Sequence, residues 1–196
     1  EGLREGAVVG TSSMRRGAQL YRARPDLKIE SLRGNLQTRL AKLDRGDFDA
    51  IVLAEAGLER MGLEMEYARL DPERFVPSAN QGTIIVVAGK GTAAEQHSRA
   101  LDHSPTRTET MIERRILETV GGGCVVPMAV HACVSGRRAR VLAEVLSLDG
   151  KRFVRLDEEI DLDELPLARA EDMGQRLMNM GGRELVDEAV KKFGAR

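Results

Sequence analysis

The chain of 196 residues is long enough for one large domain or two small ones, and its 42% hydrophobic and 31% charged residues are ordinary for a soluble protein. A formal net charge of -1, few aromatic residues and no Trp argue against a nucleic-acid-binding surface. No apolar run approaches the roughly 20 residues of a membrane span, and no signal peptide is apparent. The two cysteines form no disulfide framework and have no metal-ligand spacing with the histidines, so we expect a cytoplasmic protein without a metal site.

Strand and helix patterns alternate along residues 1–79, which predicts an α/β unit with a parallel or mixed sheet. Apolar stretches bounded by turn residues predict strands at 7–11, 27–32 and 49–54. Helical patterns follow them at 14–21, 36–43 and 55–62. In such a sheet the carboxyl ends of parallel strands form one edge, where open α/β folds bind their ligands.

Arginines gather at that predicted edge. Arg15 and Arg16 fall in the first turn of the first helix, after the turn Thr11-Ser12-Ser13, in which one serine is expected to cap the helix. Because the positive end of the helix dipole disfavours cations, these arginines indicate a bound anion. Arg33 follows the second strand, and Arg39 lies in the first turns of the next helix. A capped helix with solvated arginines is the alternative.

The stretch 76–82 is polar and rich in turn residues, which predicts a hinge. It leads into a strand pattern at 83–88 and a helix pattern at 95–102. One strand and one helix make a poor domain by themselves. We therefore expect them to return into a sheet whose other strands lie elsewhere.

The remaining chain predicts a separate α+β domain. After Pro105, Thr106 or Thr108 is expected to cap a helix that ends at Gly121. Strands are predicted at 128–134, 140–148 and 151–160, with a hairpin turn at Asp149-Gly150, and helices at 167–180 and 183–193. Cys133 is expected to be a packed strand residue.

The other cysteine follows three glycines. Gly121-Gly122-Gly123 can adopt positive φ angles and present no side chain, and Pro127 fixes the exit of the loop. This pattern predicts that the Cys124 thiol is held out on a bare loop. A half-buried structural cysteine is the alternative, because free cysteines commonly act as small hydrophobic residues.

Taken together, these motifs closely resemble the porphobilinogen deaminase family, whose members are also called hydroxymethylbilane synthases. The resemblance rests on Val9-Gly10-Thr11-Ser12-Ser13-Met14-Arg15-Arg16, Arg24-Pro25-Asp26-Leu27, Leu32-Arg33-Gly34-Asn35, Thr38-Arg39-Leu40, Phe48-Asp49-Ala50, Asn80-Gln81-Gly82, and Gly122-Gly123-Cys124 with Pro127. It implies an α/β lobe with a mixed sheet, like that of periplasmic binding proteins, followed by a smaller α+β C-terminal domain.

The resemblance also implies an activity: a transferase of tetrapyrrole biosynthesis that joins four porphobilinogen molecules into hydroxymethylbilane and releases ammonia. The product grows on a dipyrromethane cofactor bound by a thioether to a loop cysteine, by position Cys124. Each porphobilinogen carries an acetate and a propionate, and arginine binds carboxylates through paired hydrogen bonds. The residues that match the family's cofactor- and substrate-binding set are Thr11, Ser12, Ser13, Arg15, Arg16, Arg33, Arg39, Gln81 and Gly82.

By this resemblance, residues 1–79 form the family's second domain, 80–104 the returning strand and helix of the first, and 105–196 the C-terminal domain. The family's catalytic aspartate lies in the first domain, and no residue here matches it. The catalytic residue is therefore unknown, and we expect the chain alone to be inactive unless the missing domain is present as a separate segment. Asn80 and Thr83 depart from the alanine- and glycine-rich sequence that is more common in the family at these positions.

Two other functions are compatible with parts of the pattern. Paired α/β lobes with a hinge and anion-binding helix ends also describe a non-enzymatic module that binds carboxylates, which needs no thioether. A thiol enzyme that uses Cys124 as its nucleophile is less favoured, because no histidine has a recognisable partner relation to it. Intact mass distinguishes the deaminase from the carboxylate-binding module, since only the deaminase attaches two pyrrole units to Cys124.

Overall fold

A computed structural model describes residues 2–193 of the chain. Its first elements are β1 (Val8–Gly10), α1 (Met14–Ala23), β2 (Lys28–Glu30), α2 (Leu36–Asp44), β3 (Ala50–Ile51) and α3 (Glu55–Arg60). The strands pair in the order β2-β1-β3, and both pairings are parallel. The predicted α/β pattern is confirmed, but the sheet is parallel rather than mixed, because each intervening helix returns the chain to the same end of the sheet.

Local sequence explains where the first two helices begin. Ser13 caps α1 by accepting the Arg16 N–H at 3.3 Å, and Asn35 caps α2 by accepting the Thr38 N–H at 2.9 Å. Caps of this kind stabilise a helix by about 1 kcal/mol each. The small core under α1 consists of Ala7, Val9, Leu20 and Leu27.

The strand predicted at 83–88 does not form. Among residues 2–193 no strand pairs with this segment, and its side chains are exposed, with Ile84 at 72% and Val87 at 89%. An extended apolar segment becomes a strand only when a neighbouring strand supplies hydrogen-bond partners. The helix pattern that follows is confirmed as α4 (Ala93–Ser98) and a 3₁₀ turn (Arg99–Leu101).

The C-terminal unit contains an antiparallel sheet with helices on one face. Its elements are α5 (Ser104–Val120), a 3₁₀ turn (Gly123–Val125), β4 (Met128–Ser135), β5 (Arg138–Leu146), β6 (Phe153–Asp161), α6 (Pro166–Leu177), a π-type turn (Met178–Gly182) and α7 (Arg183–Phe193). The strand order is β4-β5-β6. The predicted α+β pattern is confirmed, but this unit holds the larger hydrophobic core and is not the smaller of the two. None of the helices that the structure describes is long and apolar enough to cross a membrane.

The N-terminal unit, which contains β1 to α3, packs on part of the other face of this sheet. Val76 packs there against Ala129 of β4 and Leu142 of β5. Gly150, in the turn between β5 and β6, lies so close to α1 that a Cβ atom would be 2.2 Å from the Ala18 carbonyl oxygen. Only glycine allows this turn to pack directly on the helix backbone.

Residues 76–80, at the predicted hinge, form a strap between the two units. The carbonyl oxygen at the start of the strap accepts hydrogen bonds from α1. On the other side, Pro77 accepts the Val130 N–H at 3.0 Å, and the Asn80 N–H donates to the buried Glu113 carboxylate at 2.6 Å. The strap therefore pairs with the outer edge of β4 at Val130, and farther along this edge the Glu113 and Glu109 carboxylates of α5 accept the N–H groups of Ala132 and Val134.

Two local predictions are wrong. His103, rather than Thr106 or Thr108, caps α5, because the helix begins at Ser104 and the Thr106 N–H reaches the His103 ring nitrogen at 3.4 Å. Cys133 is exposed rather than packed, because its position on β4 points away from the helices that bury its neighbours.

Candidate functional site

The carboxyl ends of the three parallel strands meet at one edge, as the sequence predicts. The Ser12 hydroxyl, after β1, donates to the Leu32 carbonyl at 2.7 Å and lies 3.1 Å from the Ser31 hydroxyl. These bonds join the turn after β1 to the turn after β2, which leads into Arg33. We call this surface the arginine edge, and its members are Thr11, Ser12, Ser13, Arg15, Arg16, Arg33 and Arg39.

The other two hydroxyls of the turn shape the backbone. The Thr11 hydroxyl accepts the Ser13 N–H at 3.2 Å, and the Ser13 hydroxyl accepts the Arg16 N–H at 3.3 Å. Thr11 is buried, whereas Ser12 is exposed. Thr11 and Ser13 therefore fix the start of α1, and Ser12 is the turn hydroxyl that solvent or a ligand can reach.

Arg15 is a buried cation held by neutral groups. Its side chain is 8% exposed, and Nη1 donates to the Gln19 side-chain oxygen at 3.1 Å and to the Val76 carbonyl at 2.7 Å. The pKa of Arg15 is lowered to about 10, chiefly by burial and then by the neighbouring charge of Arg16, with Glu144 partly offsetting both effects. The positive charge of Arg15 is therefore poorly compensated.

Arg16 lies between the end of β3 and Arg39. Its Nη1 donates to the Val52 carbonyl at 3.0 Å. Burial, and then the charge of Arg39, lower the pKa of Arg16. Arg39 in turn donates from Nε to the Gly34 carbonyl at 2.9 Å, and Arg33 is exposed beside it.

None of these four arginines forms an ion pair with a carboxylate within residues 2–193. Other arginines do, such as Arg24 with Asp26 at 2.7 Å and Arg140 with Asp157 at 2.9 Å. Burying a cation without a counter-ion costs free energy, and proteins tolerate this cost where function requires the charge. Guanidinium groups held by backbone carbonyls keep their remaining N–H donors for an incoming carboxylate.

The predicted residues Gln81 and Gly82 lie beside the same edge. Gly82 has a φ of +80°, and a Cβ atom there would be 3.9 Å from the Cβ of Ala56, at the start of the helix that follows β3. The Gln81 side-chain oxygen accepts the Ser78 hydroxyl at 3.0 Å. Asn80 has a φ of 60°, and its buried side-chain oxygen has no hydrogen-bond partner among residues 2–193. Asn80, which departs from the family's more common sequence, thus adopts a conformation that glycine adopts more easily.

Cys124 is exposed on the 3₁₀ turn after α5. Gly122 has a φ of +79°, and a Cβ atom there would be 2.3 Å from a methyl carbon of Val126, so the turn requires glycine. The predicted bare loop is confirmed, and the half-buried alternative is wrong. No arginine contacts the thiol in the part of the chain that the structure describes.

Cys124 and the arginine edge are connected through the C-terminal sheet. Cys124 precedes β4, whose Ala129 pairs with Glu144 of β5. The Glu144 carboxylate accepts a hydrogen bond at 2.8 Å from Gln19, one turn after Arg15 in α1. The structure therefore brings together the turn, the arginines and Gly82, and places Cys124 on a separate loop that leads to the sheet on which α1 packs.

Sequence reasoning missed Gln19 and Glu144, which are 1% and 0% exposed. Two signals could have found them. Gln19 stands four positions after Arg15, the spacing of neighbours on a helix face. Glu144 interrupts the apolar run of β5 from Val141 to Leu146, and a carboxylate at a buried strand position needs a specific partner.

Two family models match the chain. Residues 1–97 match "Porphobilinogen deaminase, dipyromethane cofactor binding domain", and residues 107–180 match "Porphobilinogen deaminase, C-terminal domain". The chain belongs to the porphobilinogen deaminase family. The resemblance is thereby confirmed, and the non-enzymatic carboxylate-binding alternative is not favoured.

Curated relatives carry the same family name. A "Probable porphobilinogen deaminase" of Methanococcoides burtonii is 48% identical over 190 residues, 96% of this chain and 61% of the relative. One of Methanocella arvoryzae is 48% identical over 195 residues, 97% of this chain and 63% of the relative. A "Porphobilinogen deaminase" of Exiguobacterium is 39% identical over 189 residues, 95% of this chain and 61% of the relative. The chain thus spans 61–63% of the length of these relatives.

Proposed function

We propose that this chain forms the cofactor- and substrate-holding part of a porphobilinogen deaminase, a transferase that joins porphobilinogen units with release of ammonia. The observation that carries the proposal is the arginine edge, where four arginines lack carboxylate partners among the described residues. Each porphobilinogen unit brings an acetate and a propionate. Such carboxylates are the counter-ions that these cations lack.

In this proposal the arginines divide the work by their exposure. Arg33 is exposed and Arg16 and Arg39 are half-buried, so they bind carboxylates directly. Arg15 is fixed in the interior and supplies a positive charge, whose attraction for an anion is stronger there because the local dielectric constant is low. The Ser12 hydroxyl, at the positive end of the α1 dipole, adds a polar contact.

Cys124 is the residue that would hold the dipyrromethane cofactor, through a thioether. When bound, that cofactor supplies the pyrrole end to which each new unit is added. The exposed sulfur and the bare glycine turn fit this role, because a bulky pyrrole must approach the sulfur closely. Gln81 and Gly82, beside the arginine edge, would flank the same ligand.

We further propose the division into 1–79, 80–104 and 105–196, with 80–104 belonging to a first domain. The exposed apolar side chains at 83–88 support this, since they would be buried if the segment joined the sheet of a first domain. Five statements stay predictions. Two concern the fold and location: the likeness of the α/β lobe to periplasmic binding proteins, and the cytoplasmic location. Three concern activity: the catalytic aspartate lies outside this chain, a separate segment is its partner, and the chain alone is inactive. Turnover of porphobilinogen by residues 1–196 alone would contradict the predicted inactivity.

Intact mass tests the proposed role of Cys124. The chain is expressed in cells that make porphobilinogen, and its mass and modified peptide are determined. We expect an adduct of two pyrrole units on the wild-type chain and on Cys133→Ser, and none on Cys124→Ser. Cys133 is the matched control because it is also an exposed free thiol. An unmodified wild-type chain, or an adduct on Cys133, contradicts the assignment.

A further inference from the structure

A buried carboxylate of the C-terminal sheet contacts the helix that carries the arginine edge. Glu144 is 0% exposed and projects from β5 toward α1. Its two oxygens accept hydrogen bonds from Gln19 at 2.8 Å and from Arg22 at 2.8 and 3.4 Å. Arg155 of β6 lies 3.5 Å away. The carboxylate is therefore paired on both sides of the junction between the two units.

Gln19 transmits this contact to the arginine edge. Its side-chain nitrogen donates to Glu144 and to the Val76 carbonyl, both at 2.8 Å, and its side-chain oxygen accepts from Arg15 at 3.1 Å. The reversed amide would place its oxygen against a carboxylate and its nitrogen against a cation. Because both contacts would then be repulsive and the Val76 carbonyl would lose its donor, Glu144 and the Val76 carbonyl together favour the amide orientation that Arg15 requires.

We propose that Glu144 is a positioning residue of the arginine edge. It orients Gln19, which holds the Arg15 guanidinium, so the arginine edge binds carboxylates at full strength only while the C-terminal sheet is docked on α1. The positioning itself rests on geometry alone, and the carboxylate ligand rests on the proposed function.

The rest of the junction is built to keep α1 docked. Gly150 lets the β5–β6 turn touch the α1 backbone, and Arg22 stacks on the Phe153 ring at 5.0 Å from its centre. A buried ion pair is a poor way to gain stability, because apolar residues of similar size commonly serve as well. A carboxylate that is linked through Gln19 to the Arg15 guanidinium has a use that an apolar contact lacks.

The test compares Glu144→Gln with Asp157→Asn, which removes an exposed ion pair from the same sheet. Two quantities are measured on folded protein: the dissociation constant of porphobilinogen, by calorimetry, and the NMR signal of the Arg15 Nε–H group. That signal is assigned as the one lost in Arg15→Lys. We expect Glu144→Gln to weaken binding about tenfold, a typical strength of coupling between sites, and to broaden the Arg15 signal. Asp157→Asn should leave both unchanged.

A second variant keeps the test decisive if Glu144→Gln fails to fold. Gln19→Met removes the linking amide but leaves Glu144 paired with Arg22 and Arg155, and it should also broaden the Arg15 signal. An unchanged Arg15 signal in either folded variant overturns the positioning role. If wild-type protein does not bind porphobilinogen, the proposed function fails, and the Arg15 signal still decides the positioning.

Discussion

Arginines are held in different ways in two regions of this chain. In the C-terminal unit, Arg138 and Arg140 of β5 and Arg176 of α6 are exposed, and each pairs with a carboxylate at 2.6–2.9 Å. At the arginine edge, Arg15 and Arg16 are buried or half-buried, and their partners are the carbonyl oxygens of Val76 and Val52. These exposed arginines of the C-terminal unit are thus paired with carboxylates, whereas Arg15 and Arg16 have only neutral hydrogen-bond partners among the described residues.

This difference separates a solubilising surface from the proposed binding site. Exposed ion pairs contribute little to stability, so the paired arginines chiefly keep the sheet surface polar. A buried cation without a counter-ion destabilises the fold, and lowered pKa values at Arg15 and Arg16 record that cost. A ligand that carries carboxylates would remove the cost when it binds.

Charge reversal should give the largest difference between the two regions. Arg16→Glu replaces a cation that we propose binds carboxylates with a group of the same charge as the ligand, so porphobilinogen should bind at least 100-fold more weakly, about 3 kcal/mol for a charge-assisted pair. The matched control Arg140→Glu should leave the dissociation constant unchanged. Calorimetry of both variants measures this, and equal losses of affinity for porphobilinogen would show that the two groups of arginines do not differ in ligand binding.

The pH dependence of stability should distinguish the regions next. Because the folded-state pKa of Arg15 is about 10, below its ordinary value, the unfolded chain retains the proton more tightly and stability rises with pH above that point. Relative to Arg15→Met, the wild-type free energy of unfolding should rise by about 1 kcal/mol from pH 10 to 11.

Urea titrations at each pH supply this measurement, and Arg140→Met is the control. The hydrogen bonds that Arg140 donates to Asp157 and Glu73 raise its pKa, so it stays protonated in both states and should show no such slope. A flat difference for Arg15 would mean that its charge is compensated after all.

The smallest effect is expected on the exposed sheet surface. Arg138→Ala removes an ion pair with Glu159 in which both side chains are more than half exposed. The midpoint of thermal unfolding should shift by no more than about 2 °C. A larger loss would place these pairs among the supports of the fold and would weaken the contrast with the arginine edge.

The sequence predicted the elements better than their environment. Hydrophobic periodicity located every strand of both sheets, and turn residues located the Gly121–Gly123 loop. It placed a strand at 83–88, because an apolar run does not reveal whether another strand lies beside it. It also placed Cys133 inside, because alternation on a strand does not say which face is covered.

For the site, residue type and motif predicted which side chains gather at the arginine edge. They did not reveal that Arg15 is buried while Arg33 is exposed, since that depends on how the strap and the C-terminal sheet pack on α1. The contact between Gln19 and Glu144 joins residues 125 positions apart, and no local pattern encodes it. Roles that depend on packing between units are visible only in the fold.

The most direct test of the account is an NMR titration of wild-type chain with porphobilinogen, observing arginine Nε–H groups assigned by substitution. The account predicts that the signals of Arg16, Arg33 and Arg39 shift with ligand, whereas those of Arg138, Arg140 and Arg176 stay in place. Shifts at the paired arginines of the C-terminal sheet, or no shift at the arginine edge, would contradict it.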